Sequence, residues 1–358
     1  MPIEPAYHDY LRDESRRWGH AASIAFPENE EGLLEAMAVG GRLTVQGART
    51  GLAGEAVPGG GRIVNLSRMR RILQDCVVDG KRIVTCEAGC SMEVLQDERW
   101  FFPPAPTELT ATLGGAIHCG AQGLYAARYG GMEAFVSGVR KLPGTSLIVS
   151  AEAVLLPVPD AVWGVGLFFN GEASAMAFLF DPLPEVVAAA EYLDHGALRC
   201  IAENRSLAAR LAGLPELPSE FTAMAYIELH ATSEALAQKA AEVLLLQAER
   251  HGADAAFSWA LVGWNETRIL RDFRHFTQEA VLMSLDAERS HSPDLHVVGA
   301  ERVLDANALA ALSVARQELG IRSACFGHIC GGRTRLDFLP TDEKEMRCAK
   351  AFLRRYMP

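Results

Sequence analysis

Short apolar runs alternate with helical patterns over the first 159 residues. The runs Ser23–Phe26 and Arg42–Gln46 predict two strands. Between them, carboxylates that follow Pro27 favour the first turn of a helix with apolar residues on one side. The other elements predicted in this part are the strands Arg62–Leu66 and Lys81–Glu87 and the helix Met92–Trp100, capped by Ser91. We therefore expect an α/β domain over residues 1–159.

The pattern changes after residue 160, where strands are separated by long amphipathic helices. The predicted strands are Trp163–Phe169, Leu198–Ala202, Ala223–His230 and Phe257–Val262. The predicted helices are Pro184–Asp194, Ser233–His251, Glu266–Glu288 and Asp305–Leu319. This alternation predicts a second domain over residues 160–358, with an antiparallel sheet that is covered by helices on one face.

Composition and charge narrow the class of protein. A chain of 358 residues suggests about two domains, and 49% apolar with 22% charged residues is ordinary for a soluble globular protein. The net charge of −11 argues against nucleic acid and anionic membranes as partners, because both attract basic surfaces. No apolar run reaches the ~18 residues that span a bilayer, and the stretch Met1–Pro5 lacks the apolar core of a signal peptide. We therefore expect a cytoplasmic protein without a transmembrane segment.

The eight cysteines are expected to be reduced thiols in that compartment. Cys86 and Cys90 are separated by three residues and Cys325 and Cys330 by four, so the chain has no C-x-x-C pair. Iron–sulfur clusters are commonly held by such pairs. We expect these thiols to be buried as small apolar side chains rather than to hold a cluster.

The segment Gly47–Gly54, which follows the predicted strand Arg42–Gln46, contains three glycines in eight residues. Glycine adopts the positive φ angles at which successive backbone N–H groups converge on an anion. The natural anion for a long loop of this kind is a pyrophosphate. A glycine-rich turn between two strands is the alternative interpretation.

A second glycine-containing segment follows about 55 residues later. It begins with the proline-rich stretch Phe102–Thr107 and continues through Gly114 and Gly115 to Gly123. The prolines predict an extended start, and the paired glycines let the backbone approach a ligand closely.

In this order and at this spacing, the two segments resemble the FAD-binding loops of the vanillyl-alcohol oxidase superfamily. The closest resemblance is to its branch of D-lactate, glycolate and D-2-hydroxyglutarate dehydrogenases, whose loops read roughly G-x-R-T-G-L-x-G-G and F-P-P-D-P-T, then A-T-I-G-G-x-I-A-T-N-A-G-G. The resemblance implies an α+β protein with a PCMH-type FAD-binding domain of two α/β subdomains over residues 1–159. A cap domain with an antiparallel sheet covered by helices, shortened at its C-terminus, is implied for residues 160–358.

The resemblance also implies that FAD is bound noncovalently. His118 and Cys119 replace the Ala and Thr that most relatives have in the second loop, but their position does not match the covalent attachment points of the wider fold. The residues that the resemblance assigns to the cofactor are Gln46, Gly47, Ala48, Arg49, Thr50, Gly51, Leu52, Pro106, Thr107, Leu113, Gly114, Gly115, Ala121, Gly123 and Val149.

Motifs of the same branch recur farther along the chain. The stretch Gly144–Ala153, which contains Val149, takes the place of the segment that ends the FAD domain of the family. Phe273–Val281 resembles F-R-H-A-V-P-E-A-V, and Pro293–Val298 loosely resembles T-D-M-A-V-P. Phe326–Asp337 resembles F-G-H-I-G-D-G-N-L-H-x-N, so the resemblance spans most of the chain.

Two departures from the family change these expectations. Between Gly138 and Gly144 the family has a much longer segment, so the FAD domain is expected to be smaller here. Of two histidines that bind a divalent metal in many members, only His328 remains, and Arg335 takes the place of the second. The later E-H-G-I-G motif does not occur before Pro358. A metal site needs three or more ligands, so no metal is expected, and a hydrogen-bonded histidine at a strand end explains His328 more simply.

The resemblance suggests how a substrate is held. A 2-hydroxy acid needs a cation for its carboxylate, and arginine suits this role through its bidentate fork. Arg274 in the F-R-H match is the implied anchor, and Arg333 and Arg335 are candidates to replace the charge of the lost metal. His275 is the candidate base for the hydroxyl proton, because histidine side chains exchange protons near neutral pH. A solvated position on the surface is the alternative for each of them.

The function expected from the resemblance is that of an FAD-dependent oxidoreductase that oxidises a small 2-hydroxy acid, of the lactate or glycolate type, by hydride transfer to flavin N5. No G-x-G-x-x-G motif is present, so an iron–sulfur or electron-transfer protein is expected as the acceptor instead of NAD. The alternative is a catalytically degenerate FAD-binding or scaffold subunit of a larger electron-transfer complex. The identity and stereochemistry of the substrate and the oligomeric state stay open.

Overall fold

The computed structural model describes residues 3–289, 295–329 and 333–357. The chain divides into two compact units, Met1–Val158 and Pro159–Pro358. Each unit has its own sheets and its own apolar core.

The first unit begins with a small parallel sheet. Its elements are the 3-10 helix Pro5–Leu11, the strand β1 (Ser23–Ala25), the helix α1 (Glu30–Ala38) and the strands β2 (Leu43–Gln46) and β3 (Arg62–Asn65). β3 lies in the middle, parallel to both neighbours. Asn29 caps α1 by accepting a hydrogen bond from the N–H of Gly32, and Leu33 joins Val64 of β3 in the core. The predicted β-α-β beginning is confirmed.

A five-stranded antiparallel sheet completes this unit. Its elements are β4 (Ile72–Val78), β5 (Lys81–Glu87), a 3-10 turn (Met92–Leu95), β6 (Trp100–Phe101), α2 (Leu113–Cys119), α3 (Ala126–Tyr129), α4 (Met132–Phe135), β7 (Val136–Lys141) and β8 (Ile148–Pro157). β8 pairs with β5, β6 and β7, and β4 lies outside β5. The predicted helix Met92–Trp100 is only a turn capped by Ser91, because Trp100 pairs with Pro157 of β8.

The second unit is built on one antiparallel sheet of seven strands. Its elements are β9 (Ala161–Phe169), α5 (Glu172–Phe180), β10 (Val187–Asp194), α6 (His195–Asn204), 3-10 turns at Arg205–Leu207, Ala209–Leu211 and Ala255–Phe257, β11 (Ala223–Ala231), α7 (Glu234–Arg250), β12 (Trp259–Val262), α8 (Arg268–Arg289), β13 (Val298–Val303), α9 (Ala306–Leu319), β14 (Ser323–His328), β15 (Arg333–Phe338) and α10 (Glu343–Tyr356). The strand order is β12-β9-β11-β10-β14-β15-β13. Across the described ranges, no helix is long and apolar enough to cross a membrane.

Two predicted elements of this unit are wrong. The stretch Pro184–Asp194, predicted as a helix, contains β10, and Leu198–Ala202, predicted as a strand, belongs to α6. Alanines and a glutamate give β10 a helix-like composition, but the strand lies between β11 and β14 and is almost completely buried. Pairing on both sides therefore overrides intrinsic propensity. Asp194 then begins α6 as its N-cap, accepting from the N–H of Ala197 at 2.7 Å.

Helices cover both faces of the seven-stranded sheet, where a single covered face was expected. Val165 and Leu167 of β9 face a core to which α5, α7, α9 and α10 all contribute, through residues such as Phe178, Leu244, Leu312 and Phe352. Alternate residues of β9 face α8 instead. A Cβ on Gly164 would lie 2.7 Å from Cδ1 of Leu270, so glycine at this position lets α8 lie directly on the sheet.

Candidate functional site

Both glycine-containing segments of the first unit border a cavity of about 510 Å³. The first segment contributes Gly47, with Glu55 directly after its end, and the second contributes Thr112, Gly114 and Gly115. Other residues of the wall are Arg42, Leu43, Val45, Ala88, His118, Thr145, Ser146, Leu147 and Ile148. Two segments that are far apart in the sequence therefore meet at one cavity, as a shared cofactor site requires.

The first segment leaves a row of backbone donors unused. In the chain as described, the N–H groups of residues 48–52 donate to no other residue. The φ angles of 63° at Arg49 and 90° at Gly54 turn the backbone in the manner of an anion-binding loop. Because half-buried donors need acceptors, this row of N–H groups beside a cavity fits the pyrophosphate of FAD.

Glycine is required at two close contacts of the cavity wall, one between the two segments and one between the second segment and Ala88, the residue after β5. A Cβ on Gly47 would lie 2.2 Å from Oγ1 of Thr112, and a Cβ on Gly114 would lie 2.6 Å from the Cβ of Ala88. No side chain fits at such distances without moving its neighbour. These glycines therefore determine the shape of the cavity wall.

The second segment contributes shape rather than donors. The N–H groups of Leu113 and Gly114 donate to backbone carbonyls at 2.8 and 2.9 Å, and that of Gly115 donates to Oγ1 of Thr112 at 3.4 Å. These three groups at the start of α2 are thus used within the fold. Leu113, Gly114 and Gly115 therefore leave no backbone donor for a pyrophosphate.

Several residues predicted to bind the cofactor are not part of the cavity wall, and residues 48–52 among them lie along the chain between the wall residues Gly47 and Glu55. Gln46 is buried, and its amide donates to the carbonyl of Tyr10 at 2.9 Å. The guanidinium of Arg49 lies 4.1 Å from the centre of the Tyr10 ring. Val149 is fully buried and accepts from the N–H of Ala88 at 2.9 Å. The other predicted residues outside the wall are Ala48, Thr50, Gly51, Leu52, Pro106, Thr107, Leu113, Ala121 and Gly123.

The sequence analysis missed several residues of the wall. Residues 145–148 line the cavity, whereas alignment with the family selected Val149, an inward-facing residue of β8. The stretch Gly144–Ala153 that resembles the family thus contributes residues 145–148 to the wall, and a contact of Val149 with the cofactor stays a prediction. Arg42, Glu55 and His118 also line the wall, and no pattern in the sequence marked Arg42 or Glu55.

In the second unit, a buried carboxylate joins two of the predicted site residues. Glu191 of β10 accepts from Nε of Arg274 at 2.6 Å and contacts Nδ1 of His328 at 2.6 Å. β10 and β14 place Glu191 and His328 side by side in register. Arg274 comes from α8, and its guanidinium lies 5.1 Å from the centre of the Phe326 ring. The sequence analysis did not select Glu191, although a charged residue within an alanine-rich stretch was a usable signal.

Both partners stabilise the charge of Glu191. Burial by itself would raise the pKa of this carboxyl, but His328 and Arg274 together hold the pKa of Glu191 below its ordinary value. Arg274 is buried as well, so its charge is matched by Glu191 inside the protein. The cluster therefore consists of a balanced ion pair beside a hydrogen-bonded histidine.

Arg333 and Arg335 lie on β15, the neighbour of β14. Arg333 pairs in register with His328, and its side chain is 37% exposed and contacts Glu301 at 3.2 Å. Arg335 is 13% exposed and donates to Asp337 at 2.8 Å. Among the three predicted arginines, Arg333 is therefore the most accessible.

His275 follows Arg274 on α8 but does not join the Glu191 cluster. Successive helical residues are rotated by about 100°, so neighbours in sequence point in different directions. Nδ1 of His275 lies 3.4 Å from Glu279, which also binds Arg210 at 2.6 Å. The predicted base is thus paired with a half-exposed carboxylate of its own helix.

A second buried carboxylate, Glu228 of β11, was not predicted. It accepts a hydrogen bond from the hydroxyl of Tyr226, contacts Nε2 of His230 at 2.9 Å, and lies 3.4 Å from Nε of Arg271. Burial would raise the pKa of Glu228, but Arg271, His230 and Tyr226 lower it to about 2. The signal that was overlooked is a set of polar residues within the otherwise apolar strand Ala223–Ala231.

We expect Glu228 to make the folded state sensitive to acid. Its folded-state pKa of about 2 lies below the ordinary value of 4.5, so its stabilisation is complete above pH 4.5 and is lost as the pH falls towards 2. Linkage gives roughly 3 kcal/mol for such a shift. Urea unfolding at a series of pH values from neutral to about 3 measures this loss.

The matched control for this prediction is another glutamate. Glu228→Gln should flatten the dependence of the unfolding free energy on pH below 4.5, whereas Glu242→Gln on the exposed side of α7 should keep the wild-type slope. An unchanged slope in Glu228→Gln would contradict the prediction.

The described residues contain no cluster of side chains suited to a metal ion. Within residues 3–289, 295–329 and 333–357, no group of three or more His, Cys, Asp or Glu side chains is placed to hold a metal ion. Residues 330–332 of the F-G-H-I motif, which include Cys330, lie outside the described residues, as do residues 293 and 294 of the loosely matching stretch.

We expect FAD binding and any activity to be independent of metal. Arg335 occupies the position of the second histidine ligand and is held by Asp337, so a cation there would meet a positive charge. Elemental analysis of purified protein should show less than stoichiometric zinc or manganese, and chelators should leave the activity unchanged. One metal ion per chain that is lost together with activity would overturn this expectation.

Comparisons with known proteins bear on the first unit most directly. Residues 21–151 match the family described as "FAD binding domain". This match confirms FAD as the expected cofactor.

Curated relatives match parts of the chain. An uncharacterised FAD-linked oxidoreductase of Mycobacterium tuberculosis is 24% identical over 245 residues, which are 58% of this chain and 53% of that protein. A D-2-hydroxyglutarate dehydrogenase of Xanthomonas citri pv. viticola is 30% identical over 170 residues, 44% of this chain and 35% of that protein. A D-lactate dehydrogenase of Archaeoglobus fulgidus is 32% identical over 111 residues, 30% of this chain and 24% of that protein. The matched part of the chain thus spans about half the length of the Mycobacterium relative and a smaller share of the other two.

Solved structures share the fold at low identity. Alkyldihydroxyacetonephosphate synthase superposes with a TM-score of 0.67 at 14% identity, covering 93% of this chain and 72% of that one. The 4-ethylphenol oxidase of Gulosibacter chungangensis superposes with a TM-score of 0.69 at 13% identity, covering 99% and 83%. These likenesses confirm the fold that the two glycine-containing segments predicted.

Proposed function

Because residues 21–151 belong to the FAD binding domain family, we propose that this chain is an FAD-dependent oxidoreductase whose substrate is a small 2-hydroxy acid of the lactate or glycolate type. The observation that carries the substrate class is the contact of Arg274 and His328 with one carboxylate, Glu191. These two residues come from separate motifs that resemble the hydroxy-acid dehydrogenases. Relatives named for D-lactate and D-2-hydroxyglutarate support the same class.

The first unit holds the cofactor in this proposal. The N–H groups of residues 48–52 bind the pyrophosphate, and the wall from Gly47 to Ile148 shapes the remainder of the site. Bound FAD supplies the acceptor for a hydride. Gly47, at its contact with Thr112, and Gly114, at its contact with Ala88, keep the wall in the form that the cofactor needs.

Arginines of the second unit bind the substrate carboxylate. Arg274 is the anchor that the F-R-H match implies, but Glu191 already balances its charge. Among the described residues, the partner recorded for the Arg333 guanidinium is the half-exposed Glu301. Exposed ion pairs contribute little energy, so this guanidinium can exchange Glu301 for a ligand carboxylate at low cost. Its register beside His328 supports Arg333 as the first contact for the carboxylate, with Arg335 as a further candidate.

A histidine takes the proton of the substrate hydroxyl. His275 is the candidate from the resemblance, paired with Glu279. His328 has the more favourable arrangement, because the carboxylate of Glu191 on Nδ1 fixes the orientation of the ring. We therefore propose His328 as the base and His275 as the alternative.

The electrons leave to a separate protein. An iron–sulfur or electron-transfer protein is the proposed acceptor, because the sequence has no G-x-G-x-x-G motif for NAD. A catalytically inactive FAD-binding subunit is the outcome that the following experiment excludes or reveals.

Anaerobic bleaching of the bound flavin tests the proposed function. Purified protein reconstituted with FAD should lose its visible absorption with D- or L-lactate, glycolate or 2-hydroxyglutarate, but not with the matching acids that lack the hydroxyl group. If dithionite bleaches the flavin and no hydroxy acid does, the proposed enzymatic function is wrong and the chain is an inactive FAD-binding subunit.

Two arginine variants separate the proposed anchors. Removing one partner of a desolvated charge-assisted pair costs about 2–5 kcal/mol, a loss of roughly thirty- to several-thousand-fold. Arg333→Ala should slow bleaching by a hydroxy acid within this range and leave the flavin content unchanged, and Arg333→Lys should recover only part of the rate. If Arg333→Ala reacts like wild type and Arg274→Ala does not, the carboxylate anchor is Arg274.

A further inference from the structure

A segment near the N-terminus packs behind the first glycine-containing loop. We call residues 5–18 the brace and residues 47–56 the pyrophosphate loop. The brace contains the 3-10 helix Pro5–Leu11 and closes on itself where Arg12 pairs with Trp18. It is held to the rest of the unit by ring contacts of Tyr7 and Tyr10 with Phe26.

The start of the pyrophosphate loop is tied to the brace through Arg49. Its guanidinium lies 4.1 Å from the centre of the Tyr10 ring and donates to the carbonyl of Asp9. The carbonyl of Arg49 accepts from the N–H of Glu14 at 3.2 Å. Just before the loop, the buried amide of Gln46 donates to the carbonyl of Tyr10 at 2.9 Å.

The end of the loop is tied to the brace through Asp13. Its buried carboxylate accepts from the N–H and the hydroxyl of Ser15 on one oxygen, and from the N–H of Ala56 at 3.4 Å on the other. Arg17 donates to the carbonyl of Ala53 at 3.0 Å. Both ends of the loop are thus fixed by the brace, while the N–H groups of residues 48–52 between them are unused by the described chain.

The backbone of Arg49 explains why this fixation matters. A φ of 63° is unfavourable for a residue with a Cβ, so a non-glycine residue keeps it only where the surroundings compensate. The Tyr10 ring and the carbonyl of Asp9 are the groups that hold the side chain. Without them, we expect the backbone at Arg49 to relax to a more favourable φ and the loop to change its shape.

We propose that the brace holds the pyrophosphate loop in its binding shape and that Tyr10 and Arg49 are positioning residues for the diphosphate of the dinucleotide cofactor. Arg49 then acts through the backbone of the loop, with its guanidinium turned away to Tyr10. The proposal rests on FAD binding by the first unit and is independent of the substrate.

A double-mutant cycle on cofactor affinity tests the proposal. The dissociation constants of FAD and of ADP, which keeps the diphosphate, are measured on apoprotein of wild type, Tyr10→Leu, Arg49→Met and the double variant. Loss of a cation–π contact should weaken both ligands about 2- to 30-fold in each single variant. The double variant should be no weaker than the weaker single variant, because both remove the same contact.

Conservative variants distinguish positioning from general stability. Tyr10→Phe keeps the ring face and should retain the wild-type affinity for both ligands. Val77→Ala on the exposed edge strand β4 is the control for a change elsewhere in the same unit and should also bind like wild type. The melting temperature of the apoprotein identifies any variant that fails to fold. If a Tyr10 variant fails to fold, the FAD affinity of Arg49→Met is compared with that of wild type to test the proposal.

Three results would overturn the proposal. These are wild-type affinity for FAD in Arg49→Met, equal loss in Tyr10→Phe and Tyr10→Leu, or a double variant whose loss is the product of the single losses. None of them depends on flavin bleaching by a hydroxy acid. Failure of the proposed substrate class is therefore distinguishable from failure of this assignment.

Discussion

Gly47→Val should yield protein that folds but contains little FAD. A Cβ at this position would lie 2.2 Å from Oγ1 of Thr112, a buried residue that caps α2. The two segments must then separate, and the cavity wall loses its shape. Overpacking of this kind costs 1–3 kcal/mol, so we expect the FAD dissociation constant to rise roughly 10- to 100-fold. Flavin absorbance per protein after gel filtration, followed by titration of the apoprotein with FAD, measures the effect.

A glycine of the second unit provides the matched control. Gly171 has no atom within 4 Å of the position that a Cβ would take, so Gly171→Val should bind FAD like wild type. Gly115→Val, whose Cβ would lie 3.0 Å from the same Oγ1 of Thr112, should show a milder loss. Wild-type flavin content in Gly47→Val would mean that the cofactor is held elsewhere.

Glu191→Gln should cost about 3–5 kcal/mol of unfolding free energy, the range for breaking a buried ion pair by removing one partner. The substitution leaves Arg274 buried with a charge that the neutral amide cannot balance. It also removes the negative charge beside His328. In the wild type this charge is present at neutral pH, because the pKa of Glu191 is held below its ordinary value. Urea unfolding of wild type and variant, compared at neutral pH, gives the difference.

Removing both charges should be milder than removing one. In the double variant Glu191→Leu, Arg274→Met, apolar side chains of similar size replace the pair, and such replacements are often neutral or stabilising. Glu249→Gln on the exposed side of α7 is the control and should change the unfolding free energy by less than about 0.5 kcal/mol. If Glu191→Gln is as stable as this control, the cluster does not carry the charge balance described above.

Elements with local signals were predicted closely. The helices predicted as Ser233–His251 and Asp305–Leu319 are observed as Glu234–Arg250 and Ala306–Leu319. In both, the first predicted residue is the N-cap, whose side chain accepts from an N–H three residues later. A cap and an apolar periodicity depend on residues within a few turns of each other, so the sequence alone contains the information.

Elements whose state depends on distant neighbours were predicted poorly. β10 and α6 were assigned the opposite types, because the alanines of β10 favour a helix until β11 and β14 pair with both of its edges. Helix α8 covers the face of the sheet opposite α5, α7, α9 and α10, and it lies close to β9 where Gly164 leaves room for Leu270. Neither fact is visible in a window of neighbouring residues.

The candidate sites divide in the same manner. The sequence by itself predicted an FAD-binding domain, which the family match over residues 21–151 confirms. The structure adds that the two glycine-containing segments meet at one cavity, where close contacts at Gly47 and Gly114 leave no room for a Cβ. The sequence alone included Arg49 among the cofactor residues. Only the tertiary structure decided that its guanidinium turns to the ring of Tyr10, which is distant along the chain. The side-chain direction at a positive φ depends on what packs around it.

The cluster in the second unit depends on the tertiary structure almost completely. The sequence alone places Arg274 and His328 in stretches that resemble motifs of the hydroxy-acid dehydrogenases. The tertiary structure decided that they share Glu191, which is 83 residues from the first and 137 from the second. Strand order and register bring such residues together, and these are set by packing across the whole sheet rather than by local sequence. For this reason the sequence could name the candidate arginines. It could not show that Glu191 balances the charge of buried Arg274 or that Arg333 stays accessible.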